Sequence, residues 1–291
     1  MVINLHLLRI FYTVSSEGGF SNAATHLCIS QPAVSKAVSE LERQIGLPLL
    51  ERGSGRSRKG IHLTEHGQVL FDHAHAIYML ERAAIDDMQA RIGMKKGRLT
   101  IGASSTIAGY WFRPYLSKLI QRFPDIDLKI TTGNTQYIGQ QLLDCQIDIG
   151  LVEGTLSDPR LLSCHWHDDE LCLITSLTSD TYEHDWAQHT WLLREPGSGT
   201  REATELWLEN QGIIPIRCIE YGSTEGIVRA VAEGLGVSLV SSRVVRESGY
   251  ADDVSVMPIS IRFRPLFIVL LKDRPISPLV EKCYNILMSQ S

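Results

Sequence analysis

No apolar run in this 291-residue chain approaches the roughly 20 residues that a helix needs to cross a bilayer, so no membrane span is expected. The opening Met1-Val2-Ile3-Asn4-Leu5-His6 lacks a basic segment leading into an apolar one, which argues against a secretory signal. The six cysteines (Cys28, Cys145, Cys164, Cys172, Cys218 and Cys283) include no C-x-x-C pair. They read as reduced, mostly buried thiols of a cytoplasmic protein. His66, His73 and His75 have no matching carboxylates or cysteines, so neither a metal nor another cofactor is expected. Positive charge is scarce overall, at a net −5, but it is unevenly spread. Residues 1–97 hold 11 Lys+Arg against 9 Asp+Glu, and residues 98–291 hold 17 against 24. A slightly positive head on an acidic body fits a chain that touches nucleic acid with one end only.

That head is organised around residues 20–42, FSNAATHLCISQPAVSKAVSELE. Ala23, Ala24 and Leu27 give a first short helix its apolar face, and Cys28-Ile29-Ser30 forms a turn. Ser30 is placed to cap a second helix, and Pro32 falls in its first turn, where a missing N–H costs little. Val34, Val38, Leu41 and Ile45 form one stripe of that helix, opposite Ser35, Lys36, Ser39 and Arg43, with Gln31 at its leading end. A helix apolar on one side and rich in donors on the other suits the recognition helix of a helix-turn-helix. An ordinary amphipathic helix pair would share the apolar spacing. The next stretch decides between them, because residues 49–60 form a glycine-rich loop carrying Arg52, Arg56, Arg58 and Lys59 before Ile61-His62-Leu63. Such a loop reads as a wing that touches phosphates beside the helix.

The pattern Phe20-Ser21-x-Ala23-Ala24-x-x-Leu27-x-x-Ser30-Gln31-Pro32-Ala33-Val34-Ser35, then Leu41-Glu42, Gly46, Leu49-Leu50-x-Arg52 and Leu63-Thr64-x-x-Gly67, resembles the N-terminal signature of LysR-type transcriptional regulators. It covers about fifty residues. The resemblance implies an α/β protein in which a winged helix-turn-helix (1–63) and a long dimerisation helix (64–92) precede a hinge (93–97). A periplasmic-binding-protein-like effector domain follows, with one subdomain at 98–167 and 262–291 and the other at 168–261. It also implies a double-stranded DNA operator, a small effector, a dimer of dimers and, for an activator, RNA polymerase as partners, with no membrane. Ser30, Gln31, Pro32, Ser35, Lys36, Ser39, Arg52, Arg56, Arg58 and Lys59 would meet DNA.

Taken in order, Asn4 caps a helix over residues 5–16 whose Leu5, Leu8, Phe11 and Tyr12 pack under the recognition helix. From Thr64 to about Ile92 a long helix carries Leu70, Ala74, Ile77, Ala84 and Met88 on one stripe, which reads as a dimerisation face or as packing within its own domain. Beyond the hinge, strands are expected at 98–103, 127–132, 146–152, 170–174, 190–193, 217–221, 237–240, 254–257 and 265–271. Helices are expected before Phe123 and at 137–144, 200–210, 224–234 and 277–288. The alternation argues two parallel α/β units, and the resemblance puts crossovers near 165–168 and 261–265.

In such folds ligands bind where strands run into helix starts. Ser104-Ser105-Thr106, Gly197-Ser198-Gly199-Thr200-Arg201 and Ser223-Thr224-Glu225 are three such places, and free N–H groups there favour anions. Arg201 is the only cation within them. The hydroxyls could equally serve only as helix caps. The segments Gly133-Asn134-Thr135, 148–154 (DIGLVEG) and 194–201 (REPGSGTR) resemble the branch that regulates sulfur assimilation and sulfite response. A small anion is expected in the cleft, at Ser104, Ser105, Thr106, Asn134, Thr135, Glu153, Ser198, Gly199, Thr200, Arg201, Thr224 and Glu225, and the resemblance implies that it is a sulfur oxyanion such as sulfite or sulfate, with a small organic acid as the alternative. Two other classes fit less well. Gly197-Ser198-Gly199 is similar to a nucleophile elbow, but that motif needs glycine where Glu195-Pro196 stand, so no catalytic residue is assigned. A free-standing solute-binding protein would leave the helix-turn-helix and wing without a use.

Overall fold

The computed structural model describes residues 2–51, 61–91, 97–177, 185–272 and 274–289. The chain divides into two compact units, Met1–Ile85 and Asp86–Ser291. Among the described residues no helix is long and apolar enough to cross a membrane.

The first unit opens with α1 (Leu5–Ser16), whose Asn4 side chain accepts from the His6 and Leu7 N–H groups. Leu8, Ile10, Phe11 and Val14 are buried, whereas Leu5 is 58% exposed and lies outside the core. Helix α2 (Phe20–Leu27) ends at Cys28, which takes a left-handed conformation at φ 54° and turns the chain. Helix α3 (Gln31–Ile45) buries Val34, Ala37, Val38 and Leu41. Ser30 stands at its N-cap, but its hydroxyl makes no cap hydrogen bond. Cys28 and Cys218 are exposed and Cys164 half-buried, so the expectation of mostly buried thiols holds only for the other three.

The wing is pinned at its base by residues of the signature. Glu42 Oε1 accepts from the Leu49 and Leu50 N–H groups at 2.8 and 3.3 Å. Leu50 and Leu63 pair antiparallel, and the Glu51 N–H donates to the His62 carbonyl. Thr64 caps α4 (Glu65–Arg91) by accepting from the Gly67 N–H, while donating to the Pro48 carbonyl. Gly67 is required by close approach, since a Cβ there would overlap the Leu49 carbonyl oxygen. Along α4, Ala74 is buried and Leu70 and Phe71 pack on the same core, whereas Ile77, Leu80, Ile85 and Met88 are exposed.

In the second unit β1 (Arg98–Ser104) leads through a π-turn at Ile107–Trp111 into α5 (Arg113–Arg122). Then come β2 (Asp127–Gly133), α6 (Thr135–Leu143), β3 (Ile149–Glu153) and β4 (Leu161–Ser176). β5 (Thr190–Arg194), α7 (Gly199–Gln211), β6 (Arg217–Tyr221), α8 (Thr224–Ala232), β7 (Ser238–Ser241) and α9 (Ser242–Glu247) follow. The chain closes with β8 (Val254–Leu271) and α10 (Pro278–Met288).

The strands form one six-stranded sheet, β2-β1-β3-β8-β4-β7, and a β5-β6 pair joined to β7's edge by a bridge from Trp191 to Val237. Two purely parallel units are therefore not what forms. β1, β2 and β3 run parallel, as do β5 and β6, but β8 is antiparallel to β3 and β4, and β4 to β7. The short strands expected at 170–174, 254–257 and 265–271 are pieces of two long ones. β4 and β8 pair from Leu161–Leu271 to Ser176–Val254, with register shifts at His165/His167 and Leu171/Leu173. The half of β8 nearest its end lines β3, and the β4 segment that meets its start also lines β7. The two lobes' cores are distinct: Leu99, Ile101, Tyr115, Leu151 and Ile268 lie in one, and Ile174, Leu192, Val228 and Val240 in the other.

Candidate functional site

On α3 the residues at the leading end and outer face stand clear of the core. Gln31, Pro32, Lys36 and Ser39 are exposed and Ser35 is half-buried. Ser30's hydroxyl, unused by the helix, is exposed as well. Arg43, on the same face, is clasped by Glu40 at 2.8 and 2.5 Å, which holds the Glu40 carboxyl down to about 2, with Gln44 adding to the effect. Lys36 makes no ion pair among the described residues, so of these two cations it is the one uncommitted to a carboxylate. Arg52, Arg56, Arg58 and Lys59 lie outside the described residues.

In the second unit, the strand ends named from the sequence meet around two buried guanidinium groups that the sequence reading did not assign to the site. Arg194, at the end of β5, is 4% exposed. Its Nε and Nη2 donate to Glu195 at 2.8 and 2.9 Å, and its Nη1 donates to Thr224 Oγ1 at 2.7 Å and Ser105 Oγ at 3.3 Å. Burial pushes the Glu195 carboxyl up, but Arg194, Asn134 and backbone hydrogen bonding outweigh it and leave it below the usual range. Arg264, on β8, is also 4% exposed. It pairs with Glu153 at 3.3 Å and Asp169 at 2.7 Å and donates to Thr200 Oγ1 at 2.7 Å. Burial pushes the Asp169 carboxyl up, with the nearby Glu153 charge adding a little, against Arg264 and Ser241.

These pairs divide the candidate hydroxyls into spent and uncommitted donors. Ser104 donates to Glu153 Oε1, Thr135 to the Glu153 carbonyl and Thr200 to Glu153 Oε2. Ser105 and Thr224 accept from Arg194, and their own O–H groups donate to no acceptor among the described residues. Thr106 is 2% exposed and its Oγ1 has no partner among the described residues. Ser198, 4% exposed, caps α7 in position only, its side chain making no cap bond. Gly199 lets the start of α7 lie against the end of β3, where a Cβ would overlap the Glu153 carbonyl oxygen.

Arg201, the cation expected from the sequence, is engaged elsewhere. It donates to Glu205, to the Arg194 carbonyl and to Glu220. It lines a cavity of about 530 Å³ with Thr135, Gln136, Leu156, Ser198, Glu202 and Glu205. Asn134 caps α6 and donates to Glu195 and the Pro196 carbonyl, and Glu225 is exposed at the start of α8. The arrangement gathers hydroxyl donors beside buried guanidinium groups, which suits binding an oxygen-rich anion.

The two units each resemble known proteins. Residues 5–68 match the profile described as bacterial regulatory helix-turn-helix protein, lysR family, and residues 93–291 match that of the LysR substrate binding domain. The uncharacterized HTH-type transcriptional regulator YeiE of Escherichia coli (strain K12) is 32% identical over 266 residues, covering 90% of this chain and 88% of its own. The HTH-type transcriptional regulator CysL of Bacillus subtilis (strain 168) is 31% identical over 260 residues, 87% of this chain and 86% of its own. A full-length OxyR from Pseudomonas aeruginosa, solved as a cysteine-to-aspartate variant, shares the fold at a TM-score of 0.72 and 22% identity, covering 100% of this chain and 96% of its own.

Proposed function

Because the chain belongs to the LysR family of DNA-binding transcriptional regulators, with a helix-turn-helix and an effector-binding domain rather than an enzyme's site, we propose that a small oxyanion between the lobes of that domain controls its action on DNA. The observation that carries this reading is the set of uncommitted hydroxyl donors, Ser105, Thr106, Ser198 and Thr224. Thr106 matters most, because a buried polar atom normally has a partner. Two of the four accept from Arg194, which orients their protons away from the guanidinium and toward an incoming acceptor. Glu195 does not oppose an anion as a free charge, since Arg194 pairs with it, and Glu153 is held by Arg264, which it shares with Asp169.

A sulfur oxyanion such as sulfite or sulfate suits several converging donors, and the sulfur-branch resemblance of residues 133–135, 148–154 and 194–201 supports the same class. A small organic acid is the second reading, since a carboxylate presents the same kind of oxygen acceptors to these hydroxyls. In this account the protein works in the cytoplasm as a dimer of dimers, joined through the exposed apolar residues of α4, with RNA polymerase as a partner if it activates. Residues 1–63 bind DNA and the helix from residue 64 joins subunits, while the hinge expected at 93–97 lies, but for Gly97, outside the described residues. The effector subdomains are 98–167 with 262–291, and 168–261.

The test is a melting panel of the full chain against sulfite, sulfate, thiosulfate, phosphate and small carboxylates. A ligand at about a hundred times its dissociation constant adds roughly 2.7 kcal/mol. A shift with a sulfur oxyanion that disappears in Thr106→Val supports the reading. A shift with an organic acid alone overturns the sulfur assignment, and a sulfite shift that persists in both Thr106→Val and Ser198→Ala overturns the site.

A further inference from the structure

A second cavity of about 260 Å³ lies beside α7, walled by Leu171, Ala203, Leu206, Trp207, Phe263 and Pro265. Leu171 and Trp207 form a buried floor, at 4% and 5% exposure, whereas Leu206 and Phe263 stand 57% and 65% exposed at its rim. Large apolar side chains exposed together mark a binding surface more often than scattered single ones do. Its charge is unbalanced. Arg264, the one cation on the wall, is fully engaged by Glu153, Asp169 and Thr200. Glu202, the one carboxylate, lies over Gly154 and makes no ion pair among the described residues. The cavity therefore shows an apolar box, a tryptophan and one unneutralised negative charge.

We propose that this cavity is a second ligand site, adjoining the larger cavity through Glu202 and Thr155, for a small organic cation with an apolar body: an aryl- or alkyl-amine whose ammonium group meets Glu202 and whose hydrocarbon part fills the space between Trp207, Leu206 and Phe263. An ammonium beside an exposed, unpaired carboxylate and an aromatic ring gains from both, and the neutral or anionic analogue gains from neither. The site touches Gly154, just past the end of β3, and Arg264 and Pro265 on β8, so occupancy bears on the segments that carry Glu153 and its partner Arg264.

The test is titration of the full-length protein with 2-phenylethylamine, 2-phenylethanol and phenylacetate, read by calorimetry and by tryptophan fluorescence. The amine should bind up to about fivefold more tightly than the alcohol, with the acid weakest, as one exposed charge pair provides. Glu202→Gln should bring amine and alcohol within about twofold of each other. Leu206→Lys, a change at an exposed position, should weaken the amine while the protein's melting temperature stays put. Equal binding of all three compounds, no binding of the amine, or an amine preference that survives both substitutions would each overturn the proposal.

Discussion

Arg264 closes on Glu153 at 3.3 Å in a pair where neither side chain is more than 4% exposed, and the same guanidinium holds Asp169 at 2.7 Å. One cation thus joins the end of β3 to the middle of β4 from its own place on β8, and its Nη1 also reaches Thr200 at the start of α7. Removing a partner from a buried pair leaves an uncompensated charge, which costs about 3–5 kcal/mol. Arg264→Ala should lower the stability of the effector domain, read from its denaturant midpoint, by an amount in that range. Asp169→Asn, which removes the surplus carboxylate and keeps the guanidinium paired with Glu153, should cost clearly less. Equal losses would contradict the shared-cation account.

His167 gives a pH dependence of known sign. Burial, Arg243 and His165 push its imidazole below the ordinary value, with Asp168 opposing, and the Tyr115 hydroxyl sits 2.7 Å from Nε2. The folded state favours the neutral ring, so this contribution is present above about pH 6.5 and is lost as pH falls through the lower folded value. Unfolding free energies of wild type and His167→Gln, measured from neutral to mildly acidic pH, should converge on the acid side. Parallel curves would remove His167 from that loss.

Gly67 offers a test of the wing's anchorage. Its missing Cβ admits the Leu49 carbonyl, and overpacking at such a contact costs about 1–3 kcal/mol. Gly67→Ala should lower the melting of the first unit and weaken every DNA target, while sulfite-induced stabilisation of the effector domain persists. Intact DNA binding would show that the wing's base tolerates the shift.

The DNA face separates base reading from phosphate contact. Gln31→Ala at the leading end of α3 should compress the difference in affinity between the preferred site and unrelated DNA, by about 1–3 kcal/mol. Lys36→Ala and Arg56→Ala should instead weaken all sequences alike and flatten the salt dependence by about one ion each. Competition binding at several salt concentrations reads both, and a uniform loss in Gln31→Ala would take it out of base reading.

The DNA-binding head was legible because its signals are local. The capping Asn4, the stripe Val34-Val38-Leu41 and the Thr64-x-x-Gly67 step each act within a few residues of themselves, and α1 runs over the expected residues 5–16. The long β4 and β8 were read as fragments because Pro265 and the polar run His165-Trp166-His167-Asp168-Asp169 look like breaks. Pairing between strands about a hundred residues apart carries the chain through them, with register shifts absorbing the irregularity. The same distance hid Arg264. Nothing near it in sequence pairs with it, and its partners Glu153 and Asp169 are 111 and 95 residues away. Arg194 stood out only as the first residue of the 194–201 segment, since no local pattern tells that a strand-end arginine is buried.

The most direct test of the central claim is the affinity of the full-length protein for a DNA site selected from a random pool, measured with and without sulfite in wild type and in Thr106→Val. Coupling between two sites is typically about 1–3 kcal/mol, or roughly 5- to 150-fold. Sulfite should shift the wild-type dissociation constant, or the DNA length protected, within that range and leave Thr106→Val unmoved. The same shift in both proteins, or no shift in either while sulfite binds, would contradict control of DNA binding through this cleft.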